Sequence, residues 1–148
     1  KADIMDAAAP GTIGGTYIGS PLSCVAASAT IQYMKDVNLN ERGTEIGNIT
    51  RNRLDQLKKI CPDIGDIRGQ GAMIAIEFVK NGDSQKPNGD LCGKIVASCL
   101  KRGLIILNAG TYKNIIRILS PLVITDAQLN QGLDILEQEI LNISKNKR

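Results

Sequence analysis

The sequence predicts an α+β domain in which a small, mainly antiparallel sheet is covered by long helices. Three observations carry that expectation. Apolar residues recur at three- and four-residue spacing in the stretches that follow Asn38, Gly89 and Thr125, the mark of helices with one buried face. Short apolar runs at 72–79, 104–107 and 114–119 are bounded by glycines or polar segments and suit strands. The last two are separated only by the glycine-containing loop 108–113, which suits an antiparallel pair. A chain of 148 residues has the length of one ordinary domain and can bury a real core.

In chain order, residues 3–8 read as the tail of a helix or of an element that began earlier. There is no initiator Met, and the opening Lys1-Ala2-Asp3 is unlike the start of a domain, so a larger protein is expected to have been cut here. Next comes the glycine-rich turn Gly11-Thr12-Ile13-Gly14-Gly15-Thr16-Tyr17. Its glycines allow positive φ angles and a close approach of amides to a ligand, and Thr16 adds a hydroxyl donor, so the turn suits contact with a phosphate. A tight loop whose glycines serve packing is the other reading. The turn lacks the Gly-Lys-Ser/Thr ending of a Walker loop and the G-x-G-x-x-G of a dinucleotide fingerprint.

Ser20 suits an N-cap and Pro21 the first helical position, which predicts a helix over 21–35. Leu22, Cys24, Val25, Ala26, Ala27, Ala29, Ile31 and Met34 cover most of its circumference, so it is expected to be buried on several sides, by protein outside this stretch or by a partner subunit. Asn38 with Glu41 reads as a capping box opening a long helix that Pro62 stops near Ile60. Ile46, Ile49, Leu54, Leu57 and Ile60 form its buried side, and Glu41, Arg42, Glu45, Arg51, Asp55 and Lys58 its solvent side. Residues 64–71 lead into the strand 72–79, where Glu77 is expected in a salt bridge or facing solvent rather than in catalysis. Residues 81–89 are polar and read as a loop, 90–102 as a helix closed by Gly103. Thr125 and Gln128 form a second capping box, followed by a helix whose stripe of Leu129, Leu133, Leu136, Ile140 and Ile143 packs on the sheet.

Composition removes several functions. No apolar run is long enough to span a bilayer and no signal peptide is visible, so a cytoplasmic protein with no membrane partner is expected. The net charge of +3 is spread along the chain, and the basic group Lys145, Lys147 and Arg148 reads as a solvated tail. Aromatics at 3% and the absence of Trp leave few platforms for stacking bases, which argues against nucleic acid. With no His and no C-x-x-C among Cys24, Cys61, Cys92 and Cys99, neither a usual zinc site nor a His-activated nucleophile is available, and no metal is expected. Cys92 and Cys99 read as reduced and structural.

Arg117 stands inside the apolar run Ile115-Ile116-Arg117-Ile118-Leu119. Strand alternation places it on the face of Ile115 and Leu119, opposite Ile116 and Ile118. A guanidinium held there needs an anion, either an Asp or Glu of this chain or a substrate carboxylate gripped by a two-pronged hydrogen bond.

The segments Asp3-Ile4-Met5-Asp6-Ala7, Gly14-Gly15-Thr16-Tyr17, Ile64-Gly65-Asp66-Ile67-Arg68-Gly69-Gln70-Gly71-Ala72-Met73-Ile74-Ala75-Ile76-Glu77 and Arg117-Ile118-Leu119-Ser120-Pro121-Leu122 resemble, in order, the C-terminal third of the class III pyridoxal-phosphate aminotransferases. Their wording is nearest to the branch acting on 4-aminobutyrate. The resemblance implies the C-terminal small domain of a fold type I enzyme, residues 37–148, preceded by the end of the large domain, an interface segment over 1–36. It also implies a homodimer using pyridoxal 5'-phosphate, amino and keto acid substrates, and transfer of an amino group from 4-aminobutyrate to 2-oxoglutarate. By the same resemblance Gly15 and Thr16 contact the cofactor, Thr16 reaching the phosphate of the neighbouring subunit's cofactor, and Arg117 holds a substrate carboxylate. The Schiff-base lysine of such enzymes lies upstream of this chain, and none of Lys35, Lys58, Lys59, Lys94 or Lys101 has its setting, so no catalytic residue is assigned and the fragment alone is expected to be inactive. An ornithine or acetylornithine aminotransferase is the alternative within the class. A non-catalytic domain for phosphate binding or dimerisation is the alternative outside it. The uncovered apolar surface of 1–36 is expected to promote self-association.

Overall fold

The computed structural model describes residues 1–145, so Lys147 and Arg148 of the basic group lie outside the described residues, while Lys145 ends the last helix. The chain divides into two units, residues 1–38 and residues 39 onward.

The first unit holds α1 (Ala2–Met5), a turn-rich segment, and α2 (Pro21–Asp36). Pro21 takes the first helical position, as expected. Ser20 precedes it with φ −55° and ψ 124°, but its side chain makes no cap; its carbonyl instead receives the Cys24 amide at 2.9 Å. Pro21 has already removed one of the donors a cap would serve. Nothing in α2 is buried: Leu22, Val25, Ile31 and Tyr33 are all exposed. The apolar circumference read from sequence is real, and any cover for it comes from outside the unit.

The second unit contains α3 (Leu39–Ile60), β1 (Ile64–Gln70), β2 (Met73–Lys80), β3 (Asp83–Pro87), α4 (Gly89–Lys101), β4 (Leu107–Ala109), β5 (Ile115–Leu119) and α5 (Asp126–Lys145). The sheet runs β1-β2-β5-β4 with every pair antiparallel, and β3 pairs with the far end of β2. The expected α+β class with a small antiparallel sheet is the one observed. Period-two alternation sends Ile67, Ile74, Ile76, Phe78, Ile116 and Ile118 to one face, where they join the buried stripes of α3, α4 and α5 in a single core. In α5 that stripe is Leu129, Leu133, Leu136 and Ile140, with Ile143 partly buried; the helix lies chiefly against α4 and α3. No helix among the described residues is long and apolar enough to cross a membrane.

Local signals were met where the chain could satisfy them alone. The Gln128 amide donates to Thr125 Oγ1, and the Thr125 amide donates back to Gln128 Oε1, both at 3.2 Å, a capping box. Gly103, at φ 82°, closes α4 in a Schellman motif: its amide donates to Leu100 and that of Leu104 to Cys99, at 3.0 and 2.9 Å. That motif corrects one expectation. Leu104 is used in ending the helix, so the strand expected over 104–107 begins only at Leu107 and includes Asn108 and Ala109. The polar segment 81–89, expected as a loop, contains β3, whose edge position asks for no apolar face. The segment leading into 72–79 is itself β1; its two-residue connection, Gly71 and Ala72, sets Gln70 opposite Met73. Asn38 takes φ 50°, the left-handed region, instead of the extended backbone of an N-cap, so the first expected capping box is not the conformation adopted. Ile60, expected on the buried side of α3, is exposed at the helix end, and Cys61 turns inward in its place.

Candidate functional site

Because α3 and α4 cover one face of the sheet, with α5 packed against both helices, the other face is open, and strand register decides what it displays. Ala75 of β2 lies opposite Arg68 of β1 on one side and Arg117 of β5 on the other; Leu107 of β4 completes that row. The adjacent row is Asp66, Glu77, Ile115 and Ala109. On the far side, Gln70, Met73 and Leu119 follow.

Two arginines therefore share one face in different circumstances. Arg68 donates to Asp66 Oδ2 at 2.9 Å and to Glu77 Oε2 at 2.5 Å. The bond from Arg68 holds the Asp66 carboxyl below its ordinary range, against a smaller opposing effect of burial, and the same two carboxylates raise the Arg68 guanidinium. Glu77 is thus in a salt bridge, with a long contact of 3.5 Å from Asn114 Nδ2, whose main bond goes to the Phe78 carbonyl at 2.9 Å. The Arg117 side chain is exposed and makes no hydrogen bond or ion pair among the described residues. Of its two readings, pairing with an Asp or Glu of this chain does not occur among those residues. Beside it, where β4 stops and β5 continues, an apolar recess of about 130 Å³ is walled by Leu104, Ile106, Ile118, Leu119 and Leu133, with Arg117 on its lining.

Gly15 and Thr16 lie in the other unit, in an exposed turn. Gly11 takes φ 83°, but Gly14 and Gly15 do not adopt positive φ, which corrects part of the conformational argument: their contribution is the missing side chain. A Cβ on Gly14 would meet nothing within 4 Å. The Thr16 hydroxyl and the amides of Gly15 and Thr16 engage no acceptor among the described residues, leaving a set of free donors of the kind a phosphate takes. Lys35 lies in α2, Lys58 and Lys59 in α3, and Lys94 and Lys101 in α4, all exposed.

Sequence reasoning missed Arg68 as the partner of Glu77. The signal was available in the Arg-Gly-Gln-Gly turn, since a two-residue connection after Gln70 puts residues 66 and 77 opposite each other.

Residues 1–140 match the family model of class-III aminotransferases. The chain belongs to that family. Among curated proteins, this class-III aminotransferase chain is 46% identical over 138 residues to the 4-aminobutyrate aminotransferase GabT of Escherichia coli K12, covering 93% of the chain and 32% of that protein. It is 50% identical over 137 residues to a probable 4-aminobutyrate aminotransferase of Bacillus subtilis, covering 93% of the chain and 31% of the relative. A 5-aminovalerate aminotransferase, DavT of Pseudomonas aeruginosa, is 46% identical over 138 residues, with 93% and 32% covered. Among solved structures, the acetylornithine aminotransferase of Elizabethkingia anophelis superposes with a TM-score of 0.78 at 33% identity, over 96% of the chain and 35% of that structure. The class-III aminotransferase chain spans about a third of the length of the curated relatives it matches.

Proposed function

We propose that the protein to which this chain belongs transfers the amino group of 4-aminobutyrate to 2-oxoglutarate in the cytoplasm, as a homodimer using pyridoxal 5'-phosphate. The observation that carries the reading is Arg117, an exposed guanidinium with no anion partner among the described residues, on the open face of a class-III aminotransferase sheet. When bound, the cofactor supplies the electron sink for amino transfer.

What this chain contributes is binding and orientation. Arg117 grips the substrate carboxylate through two parallel hydrogen bonds, a contact worth about 1.5–3 kcal/mol, or roughly ten- to a hundredfold in affinity. The carboxylate, at the far end of the substrate from the reacting amine, is thereby fixed, and the amine with it. Gly15 and Thr16 offer an amide and a hydroxyl to the phosphate of the neighbouring subunit's cofactor; their free donors and open surroundings fit that group. The exposed apolar residues of α2 support an interface role for this segment. The relatives' names support the amino donor, and the 5-aminovalerate relative, equally similar to the chain, favours a second reading with a donor one carbon longer. Both donors present the same terminal carboxylate to Arg117.

The test is an assay of the full-length protein with 4-aminobutyrate, 5-aminovalerate and acetylornithine as donors. Turnover of 4-aminobutyrate is expected, with kcat/KM falling at least about tenfold in Arg117→Met. Thr16→Val is expected to lose cofactor more readily on gel filtration, read from its absorbance. Activity with acetylornithine alone would overturn the substrate assignment.

A further inference from the structure

We infer that Arg51 guards the edge of the sheet, closing β1 against pairing with β1 of a second copy of this chain. Arg51 belongs to α3 and reads from sequence as a solvent-facing charge, yet its guanidinium turns to the backbone of β1. One nitrogen donates to the Ile67 carbonyl at 3.3 Å and the other to the Gly69 carbonyl at 2.8 Å. Carbonyls two residues apart on a strand point the same way, and in an antiparallel pair alternate residues bond the partner. Gln70 closes the two-residue connection to Met73 and so belongs to the set bonded to β2, which leaves Ile67 and Gly69 facing away from β2. The guanidinium thus lies where a further strand would run, about 4.8 Å from β1. While it holds that place no strand can join β1 at 67–69, whatever the rest of the protein contributes.

The edge needs a guard. At the other end of the sheet β4 has 3 residues, too few to offer much of a template, whereas β1 has 7. A bulge disturbs only its first end: Gly65 is the extra residue between Ile64, opposite Phe78, and Asp66, opposite Glu77. The remaining stretch, 66–70, is self-complementary. Two copies of β1 paired antiparallel about Ile67 would set Asp66 of each opposite Arg68 of the other, so opposite charges would meet on both sides of the centre. Ile67 would exchange both its backbone bonds with its counterpart. Arg51 occupies the carbonyl which that pairing needs first.

The experiment is sedimentation velocity of the full-length protein over a range of concentrations, with hydrogen–deuterium exchange of the same samples. Arg51→Met is expected to associate beyond the state of the unsubstituted protein, at a concentration lower by about tenfold or more. Exchange in the 64–70 peptide is expected to slow as that species forms, because its outward amides become bonded. Arg51→Met/Asp66→Asn is expected to associate about fivefold more weakly than Arg51→Met, since the charges across the pair no longer match. A variant that associates only because it is partly unfolded would gain nothing from Asp66→Asn, so association as strong in the double variant overturns the inference. Association that leaves the 64–70 peptide unprotected does the same. Should Arg51→Met fail to fold, Arg51→Lys decides, because one ammonium in place of the fork cannot hold both carbonyls and the same peptide should gain protection. Sedimentation unchanged from the unsubstituted protein in the folded variants overturns the inference as well.

Discussion

Gly43 and Gly47 lie one turn apart on the buried side of α3, and the same substitution at each should have opposite effects. Replacing a helical glycine by alanine removes backbone freedom from the unfolded chain and favours the helix by about 1 kcal/mol. At Gly43 a Cβ would meet only Leu122 Cδ2 at 3.5 Å, an ordinary contact, so Gly43→Ala should stabilise the fold by about 1 kcal/mol. At Gly47 the Cβ would lie 2.1 Å from the carbonyl oxygen of Gly71 and 2.6 Å from its carbon, both in the β1–β2 turn. Those atoms are backbone in a turn whose Gly69 leaves a Cβ no room, 2.0 Å from the Met73 oxygen, so the turn cannot yield cheaply. Helix and hairpin must part by about 1 Å to reach normal contact, and Ile46, Thr50 and Leu54 on that side of the core must follow. Overpacking of this kind costs about 1–3 kcal/mol or more, which exceeds the gain in helix propensity. Urea denaturation of the two variants, followed by circular dichroism, should therefore separate them by about 1–3 kcal/mol, the overpacking cost itself, with Gly47→Ala the less stable. Equal shifts of the same sign would refute the claim that α3 seats on the hairpin through Gly47.

Other expectations follow from single side chains. Thr50 Oγ1 is buried without a hydrogen-bond partner among the described residues, so Thr50→Val should leave stability unchanged or raise it by up to about 1 kcal/mol in the same denaturation assay. Thr125→Ala removes the hydroxyl that accepts the Gln128 amide at the start of α5 and should cost about 1 kcal/mol. Glu139, at the α4–α5 contact, accepts from Ser98 Oγ and from Arg102, and these bonds, Ser98 first, hold its carboxyl below the ordinary range. Its contribution is therefore complete above the ordinary carboxylate range, near pH 4–5, and is lost as pH falls through the lower folded value; Glu139→Gln should remove that part of the acid dependence of the melting temperature. Burial raises the thiols of Cys92 and Cys99 to about 11, so in thiol labelling of the native chain the exposed Cys24 should react first, and those two only on unfolding.

What could be read from sequence divides along physical lines. The Thr125 capping box, the glycine closing α4 and the α5 stripe were legible because each is decided within one or two helical turns. β1 was not, because Ile64-Gly65-Asp66-Ile67-Arg68-Gly69-Gln70 has one open face and two glycines, and so lacks the apolar run that marks a strand. β3 was hidden for the same reason in stronger form, being polar throughout. At the candidate site, the oddity of Arg117 was legible from its apolar neighbours. Its lack of a partner among the described residues was not, because it depends on strand pairing, a non-local fact, which sets Arg117 beside Ala75 while Glu77 bonds Arg68.

That register also ties the fold to the proposed use of Arg117. The sheet has one covered and one open face, and side chains alternate between them, so a slip of β5 by one residue against β2 would exchange the faces. Arg117 would turn toward the helices, and Ile116 and Ile118, now buried, would turn to water. Exposing the two isoleucines would be largely offset by burying Ile115 and Leu119 from the other face, so the main cost of the slip is burial of an unpaired guanidinium, several kcal/mol. The features that hold the sheet in place are mostly remote from the arginine: the Gly69 and Gly71 turn that sets β1 on β2, and the Schellman motif that delays β4 until Leu107 can stand opposite Arg117. An exposed charge in an apolar strand is thus held in view by the cost of burying it unpaired. The register that avoids that cost turns the guanidinium outward, ready for an anion the described residues do not supply.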